Sequence, residues 1–169
     1  MTNRVSIATP SQYLLNWYLT YINIINTMQL TKHTDYAFRV LIYLAMKPAD
    51  TLATIQEIAE YFDISRNHMM KIVQKLANAG FVHSIRGKQG GIKLGKPTEE
   101  INLRAIVELM EATLKPIDCT SQPCRLNPGC GLKSILFTGQ KQYMDYIGQY
   151  TMADLVRQNG QAPIKSQVL

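Results

Sequence analysis

Thr54-Ile-Gln-Glu-Ile-Ala-Glu-Tyr-Phe-Asp-Ile-Ser-Arg-Asn-His-Met-Met-Lys-Ile-Val-Gln-Lys-Leu-Ala-Asn-Ala-Gly80 is the stretch whose reading decides the fold. It opens with a capping-box pattern, Thr54 followed three residues later by Glu57, which satisfies free amides at a helix start. Ile55, Ile58, Ala59 and Phe62 then fall at i, i+3, i+4 and i+7, one apolar helical face. Asp63-Ile64 breaks the pattern as a short turn, and Ser65 is placed to cap a second helix. That helix carries Met69, Ile72, Val73 and Leu76 on its buried stripe and stops near Gly80. Two helices joined by so short a turn make a helix-turn-helix.

The opposite face of the second helix carries Asn67, Lys71 and Gln74, flanked by Arg66, Met70 and Lys75. A solvated face is the ordinary reading of such residues. Their chemistry points further, because Asn and Gln pair bidentately with adenine, and Arg and Lys with guanine. Residues at the start of such a helix usually reach the base edges. Ser65 and His68 complete the expected DNA-facing set at that end.

Toward the C-terminus, residues 81–86 alternate like a strand, Gly87-Lys-Gln-Gly-Gly91 forms a turn, and Ile92-Lys-Leu94 returns. A helix-turn-helix followed by this hairpin is a winged helix. Arg86, Lys88, Gln89 and Lys93 lie along the wing, placed for phosphate or minor groove. His83 reads as a strand filler. The glycine-rich turn lacks the Gly-Lys-Ser/Thr ending of a nucleotide phosphate loop.

Toward the N-terminus, Tyr36, Val40, Tyr43 and Leu44 predict a helix from Thr34 that ends before Pro48. Residues 1–27 differ in character from the rest of the chain. Tyr13 to Ile25 is apolar but too short to span a bilayer, and it makes a poor signal peptide. Met28 is the expected start of the fold, with 1–27 an upstream extension of little structure.

Charge supports the nucleic-acid reading. The chain is formally +6, and residues 28–97 hold ten Lys/Arg against five Asp/Glu. Between Ile64 and Thr98 there are seven basic residues and no acidic one, so the anion-binding surface is local. Residues 98–169 carry seven of each sign and are neutral.

Beyond Pro97, Asn102 caps a helix with Leu103, Ile106, Val107, Met110 and Leu114 on one stripe. Next comes a proline-interrupted loop holding all three cysteines, Cys119, Cys124 and Cys130. An odd number of thiols argues against a closed disulfide framework and for metal binding in a reducing compartment. Zinc, copper(I) and iron–sulfur clusters all suit thiolates, and plain packing of three small hydrophobes is the bland alternative. The loop supplies three ligands where four are usual. Asp118, Glu108, Glu111, His33 and Asp35 are the remaining candidates; stabilising a helix dipole is the ordinary role of Asp35, and solvated charge that of the two glutamates.

A long helix is predicted from Leu132 to about Tyr150. Leu132, Leu136, Gly139, Tyr143 and Tyr146 recur near every 3.5 residues, a pattern suited to pairing with a second copy across Gly139. Thr151-Met-Ala-Asp154 restarts a short helix, and the tail frays.

The motifs together carry a resemblance. Met28-Gln-Leu-Thr, Thr34-Asp-Tyr, Ser65-Arg-Asn-His-Met, Arg86-Gly-Lys-Gln-Gly-Gly-Ile, the C-x4-C-x5-C spacing and Tyr150-Thr-Met-Ala-Asp-Leu155 resemble the NsrR-type nitric-oxide-sensing repressors. These belong to the bacterial winged-helix iron–sulfur family that also holds IscR. The likeness runs from Met28 to about Asn159. It implies a cytoplasmic homodimer on double-stranded operator DNA, with an iron–sulfur cluster, [4Fe–4S] before [2Fe–2S], on Cys119, Cys124 and Cys130. It also implies that Asp35 reaches the cluster of the other protomer, and that nitric oxide is the signal releasing repression. IscR-like members have a longer first cysteine gap and a histidine ligand, which this chain lacks.

The expected architecture is mostly α with a small β-hairpin. A winged-helix domain (28–98) is followed by a cysteine loop and dimerisation helices (99–160) and a tail (161–169). No paired acid–base constellation, nucleophile motif or cofactor fingerprint points to an enzyme. The competing functions are an iron- or cluster-status regulator of the same family and a zinc-stabilised winged-helix adaptor.

Overall fold

The computed structural model describes residues 29–48, 51–87, 89–121, 123–127 and 129–158. The expectations for residues 1–28, Lys88 and the tail 161–169 lie outside the described residues.

Helix α1 (Lys32–Met46) lies at the centre, packing against three later helices and the second strand of the hairpin. It buries Thr34, Ala37, Val40, Leu41, Tyr43 and Leu44. Helix α2 (Ile55–Tyr61) starts at the capping box read from the sequence: the Thr54 hydroxyl accepts from Glu57 N, and the Glu57 side chain accepts from Thr54 N. Glu57 also accepts from the Tyr43 hydroxyl at 2.5 Å and from Lys47 Nζ at 2.7 Å, which fastens α2 to the end of α1. Burial pushes the Glu57 carboxyl up, but these hydrogen bonds outweigh it and hold the carboxyl below its usual range.

Asp63, at φ 51°, makes the turn into α3 (Arg66–Asn78), where the Ser65 hydroxyl accepts from His68 N at 3.4 Å. Met69, Ile72, Val73 and Leu76 face the core as expected. Gly80 at φ 75° ends the helix in the left-handed region where a side chain is disfavoured. Strands β1 (Val82–Ile85) and β2 (Gly91–Leu94) pair antiparallel, with His83 opposite Lys93 and Ser84 opposite Ile92. Ala53 bridges Ile92 from outside the hairpin, so the loop before α2 completes a small sheet. Gly95 passes so close to Gly80 that a Cβ there would sit 2.5 Å from the Gly80 carbonyl oxygen.

The core continues across Pro97. After a short 3₁₀ turn (Thr98–Glu100), Ile101 and helix α4 (Leu103–Met110) add Ile106 and Met110 to the cluster formed by Leu41, Ile58, Met69 and Leu76. Fully burying each such side chain stabilises by about 1.5–3 kcal/mol. Helix α4 is shorter than its apolar stripe suggested: it ends at Met110, and Leu114 falls outside it. Helix α5 (Gly131–Ile147) also stops before Tyr150. Its last turn is held by Asn102 Nδ2, which donates to the Gly148 carbonyl at 2.7 Å. The chain then returns to the core through Met152 in α6 (Met152–Gln158). Met152 N donates to Ile101 O at 2.8 Å and Leu103 N to Tyr150 O at 3.1 Å, which staples the two ends of the intervening segment.

Between those ends the packing is sparse. None of the described residues from 111 to 143 is buried, and Met144 is the first of α5 to be so.

Candidate nucleic-acid interface and cysteine loop

Helix α3 presents one face to the core and the other to solvent. Ser65, Arg66, Asn67, His68, Met70, Lys71 and Gln74 are all exposed. Asn67, Met70, Lys71 and Gln74 fall at i, i+3, i+4 and i+7, a single strip along the helix. No carboxylate occurs from residue 64 to 98 to oppose phosphate. Arg86 and Gln89 are exposed at the wing, and Lys93 is half-buried on β2. The strip and the wing belong to one rigid unit, because α3 packs directly on β1.

Lys75 plays a different part. Its Nζ donates to the main-chain carbonyl of Met110 at 3.4 Å. The carbonyls of a last helical turn lack intrahelical donors, so the ammonium is well placed there.

Glu111, one residue on, corrects the expectation of a solvated charge. Its Oε1 accepts from Thr31 N at 2.8 Å, from the Thr31 hydroxyl at 3.1 Å and from the hydroxyl of fully buried Thr34. A carboxylate at the start of α1 also meets the positive end of the helix dipole. Burial pushes the Glu111 carboxyl up, but the three hydrogen bonds outweigh it and leave it below its ordinary value. Nothing local in the sequence signals this contact, since the partners stand 77 and 80 positions apart.

Asp35 is exposed and pairs with Arg39, Oδ2 to Nη2 at 2.9 Å and Oδ1 to Nε at 3.1 Å. Arg39 in turn lies over the rings of Phe62 and Tyr36, with its guanidinium carbon 5.7 and 5.9 Å from their centroids. Glu108 pairs with Arg104 at 2.7 Å, and Arg104 reaches Asp145 on α5 at 3.1 Å. Asp118 is occupied locally: its Oδ1 accepts from Thr120 N and the Thr120 hydroxyl, both at 2.8 Å, and from Ser121 N at 3.2 Å. Those bonds hold its carboxyl at about 2.

Cys119, Cys124 and Cys130 are free thiols; Cys124 is exposed and the other two half-buried. None of the three belongs to the hydrophobic core cluster. Among the described residues, no three His, Cys, Asp or Glu side chains converge within one chain to hold a metal ion. The donor set nevertheless suits a soft metal centre: three unpaired thiols on one loop whose side chains owe nothing to the core. The loop supplies no nearby carboxylate free of other bonds, since Asp118 is engaged in its own turn.

Helix α5 carries an outward apolar face. Leu132 is 57%, Ile135 70% and Tyr146 58% exposed, with Tyr143 exposed and Leu136 half-buried. Among the described residues, no atom outside the helix's own backbone lies within 4 Å of where a Gly139 Cβ would point. Among the described residues no helix is long and apolar enough to cross a membrane.

A family model described as an iron-dependent transcriptional regulator, Rrf2, matches residues 30–158. The chain belongs to the Rrf2 family. Rrf2 regulators are DNA-binding transcription factors rather than enzymes, and they bind operator DNA as dimers. The fold is similar to that of CymR, the global cysteine regulator of B. subtilis (TM-score 0.65, 22% identity, 78% of this chain and 98% of that one). CymR of Staphylococcus aureus is similar at 28% identity (TM-score 0.62, 75% and 96% covered). T. potens IscR is similar at 21% identity (TM-score 0.64, 80% and 90% covered). The winged helix-turn-helix expected from the sequence is thus the Rrf2 fold, with the hairpin as its wing.

Proposed function

We propose that this Rrf2 regulator is a homodimeric repressor whose hold on its operator is set by an iron–sulfur cluster that reacts with nitric oxide, so that attack on the cluster releases nitric-oxide detoxification genes. The observation that carries the reading is the exposed cysteine loop, three free thiols standing outside the core and directly preceding α5. Cys119, Cys124 and Cys130 would hold the cluster, of the [4Fe–4S] type with [2Fe–2S] as the alternative, and Asp35 of a second copy would complete the ligand set. When bound, the cluster supplies iron open to attack by a small molecule; a carboxylate is a harder ligand than a thiolate and leaves its iron the more easily displaced.

The chain's own residues then account for coupling. The loop lies between α4, which touches α3 through Lys75 and α1 through Glu111, and α5, whose outward face would join two chains. Simultaneous contact with two half-sites needs both recognition helices in fixed register, so a small change at this junction suffices to weaken operator binding. Ser65, Arg66, Asn67, His68, Met70, Lys71 and Gln74 would enter the major groove. Arg86, Lys88 and Gln89 would hold backbone or minor groove, and Leu132, Leu136, Gly139, Tyr143 and Tyr146 would form the dimer seam.

A second reading is favoured by the family's description as iron-dependent: the same site reporting iron or cluster status rather than nitric oxide. The deciding experiment is anaerobic purification with a visible absorbance spectrum, followed by nitric oxide titration while operator binding is recorded. A brown protein that loses DNA as nitric oxide is added supports the first reading. One that loses DNA on iron withdrawal but ignores nitric oxide supports the second. A colourless zinc protein without operator binding would leave the adaptor role.

A further inference from the structure

Met70 stands out on α3. Its neighbour Met69 is fully buried, yet Met70 is 42% exposed, in the middle of the strip formed by Asn67, Lys71 and Gln74. A large flexible apolar side chain gains nothing in water, and polar residues surround it on that face. We infer that Met70 reads the C5-methyl group of a thymine in the major groove. The inference rests on α3 entering that groove, as proposed above, and adds which chemical group the helix recognises there.

Chemistry leads to an A·T pair, and spacing places Met70 among the residues that would read it. Asn and Gln side chains match the N6/N7 edge of adenine, and every adenine brings a thymine methyl onto the same groove floor. Along an α-helix the three residues from Asn67 to Met70 advance about 4.5 Å, and the four to Gln74 about 6 Å. Base pairs repeat every ~3.4 Å, so the strip from Asn67 to Gln74 spans about three pairs, with Met70 between the two amides. The methyl is the one apolar group on that floor, and Met70 is the one large apolar side chain exposed on α3. Arg66 and Lys71 remain for guanine or phosphate on either side.

The test uses the full chain, reconstituted anaerobically with iron and sulfide, and duplexes selected by it from a random-sequence pool. Each thymine of a selected duplex is replaced in turn by deoxyuridine, which removes only the methyl. In each half-site one replacement should weaken binding about fourfold, the loss expected for one buried methyl group. Met70→Ala should weaken the parent duplex, and in that variant the same replacement should have no effect. Met70→Gln, which keeps length but not apolarity, should behave as the alanine variant does. If no thymine shows such a loss, or if the loss persists in Met70→Ala, the inference is overturned while selective binding by α3 stands. Failure to select any sequence would overturn the major-groove placement and this inference together.

Discussion

Lys75 of α3 and Met110 at the end of α4 are joined through the Lys75 ammonium and the Met110 carbonyl, 3.4 Å apart. The contact ties α3, the helix proposed to read DNA, to the segment that leads into the cysteine loop, and on that proposal it sets Lys75 apart from the DNA-facing strip. Lys75→Met, which keeps the aliphatic stem, should therefore lower affinity for the selected operator while leaving the salt dependence of binding unchanged. Lys71→Ala, by contrast, should reduce the slope of log affinity against log salt by about one. Equal slopes for the two variants would show that Lys75 also meets phosphate.

Glu111 predicts a pH dependence of stability. Its folded carboxyl sits below the ordinary value of 4.5, so its contribution is complete above that pH and is lost as pH falls through the lower folded value. Thermal midpoints of the parent and Glu111→Gln should differ at neutral pH and approach one another in acid. A gap of constant size from pH 7 to pH 3 would contradict the hydrogen-bonded role.

Two glycines separate folding from assembly. At Gly95 a methyl group would meet the Gly80 carbonyl oxygen at 2.5 Å, so Gly95→Ala should destabilise the protomer by about 1–3 kcal/mol. At Gly139 the protomer is open. Gly139→Leu should leave the circular dichroism spectrum intact and raise the dimer dissociation constant, measured by analytical ultracentrifugation. An unchanged dimer would move the seam elsewhere on α5.

Asp35→Ala provides the ligand test. In the single chain this carboxylate pairs with exposed Arg39, and a surface pair of this kind is worth at most about 1 kcal/mol, so the fold should tolerate its loss. The anaerobic visible spectrum of Asp35→Ala should differ from the parent's, and each Cys→Ala change at 119, 124 or 130 should abolish or sharply weaken the chromophore. A parental spectrum and nitric oxide response in Asp35→Ala would remove Asp35 from the ligand set.

The helix-turn-helix was readable because its signals are local: the Thr54–Glu57 box, the Ser65 cap and the Met69–Leu76 stripe lie within a few residues of their partners. The end of α4 was not. Leu114 continued the apolar period, but the chain leaves the helix at Glu111, whose hydrogen bonds go to Thr31 and Thr34 on α1. The stop of α5 at Ile147 likewise depends on Asn102, a residue from another element. For the cysteine site, the residue types were legible. How they would come together is not a matter of local pattern, and among the described residues one chain by itself does not gather three ligating groups.

The staple between residues 101–103 and 150–152 turns everything from the end of α4 to the start of α6 into an excursion with fixed ends. Chain statistics make such an excursion tolerant: doubling its length raises the closure cost by only about 0.6 kcal/mol. Because none of the described residues from 112 to 143 is buried within the protomer, their composition is also less constrained by the core than that of the helices around it. The winged-helix unit and the cysteine excursion are in this sense separately variable, one scaffold accepting inserts of different length.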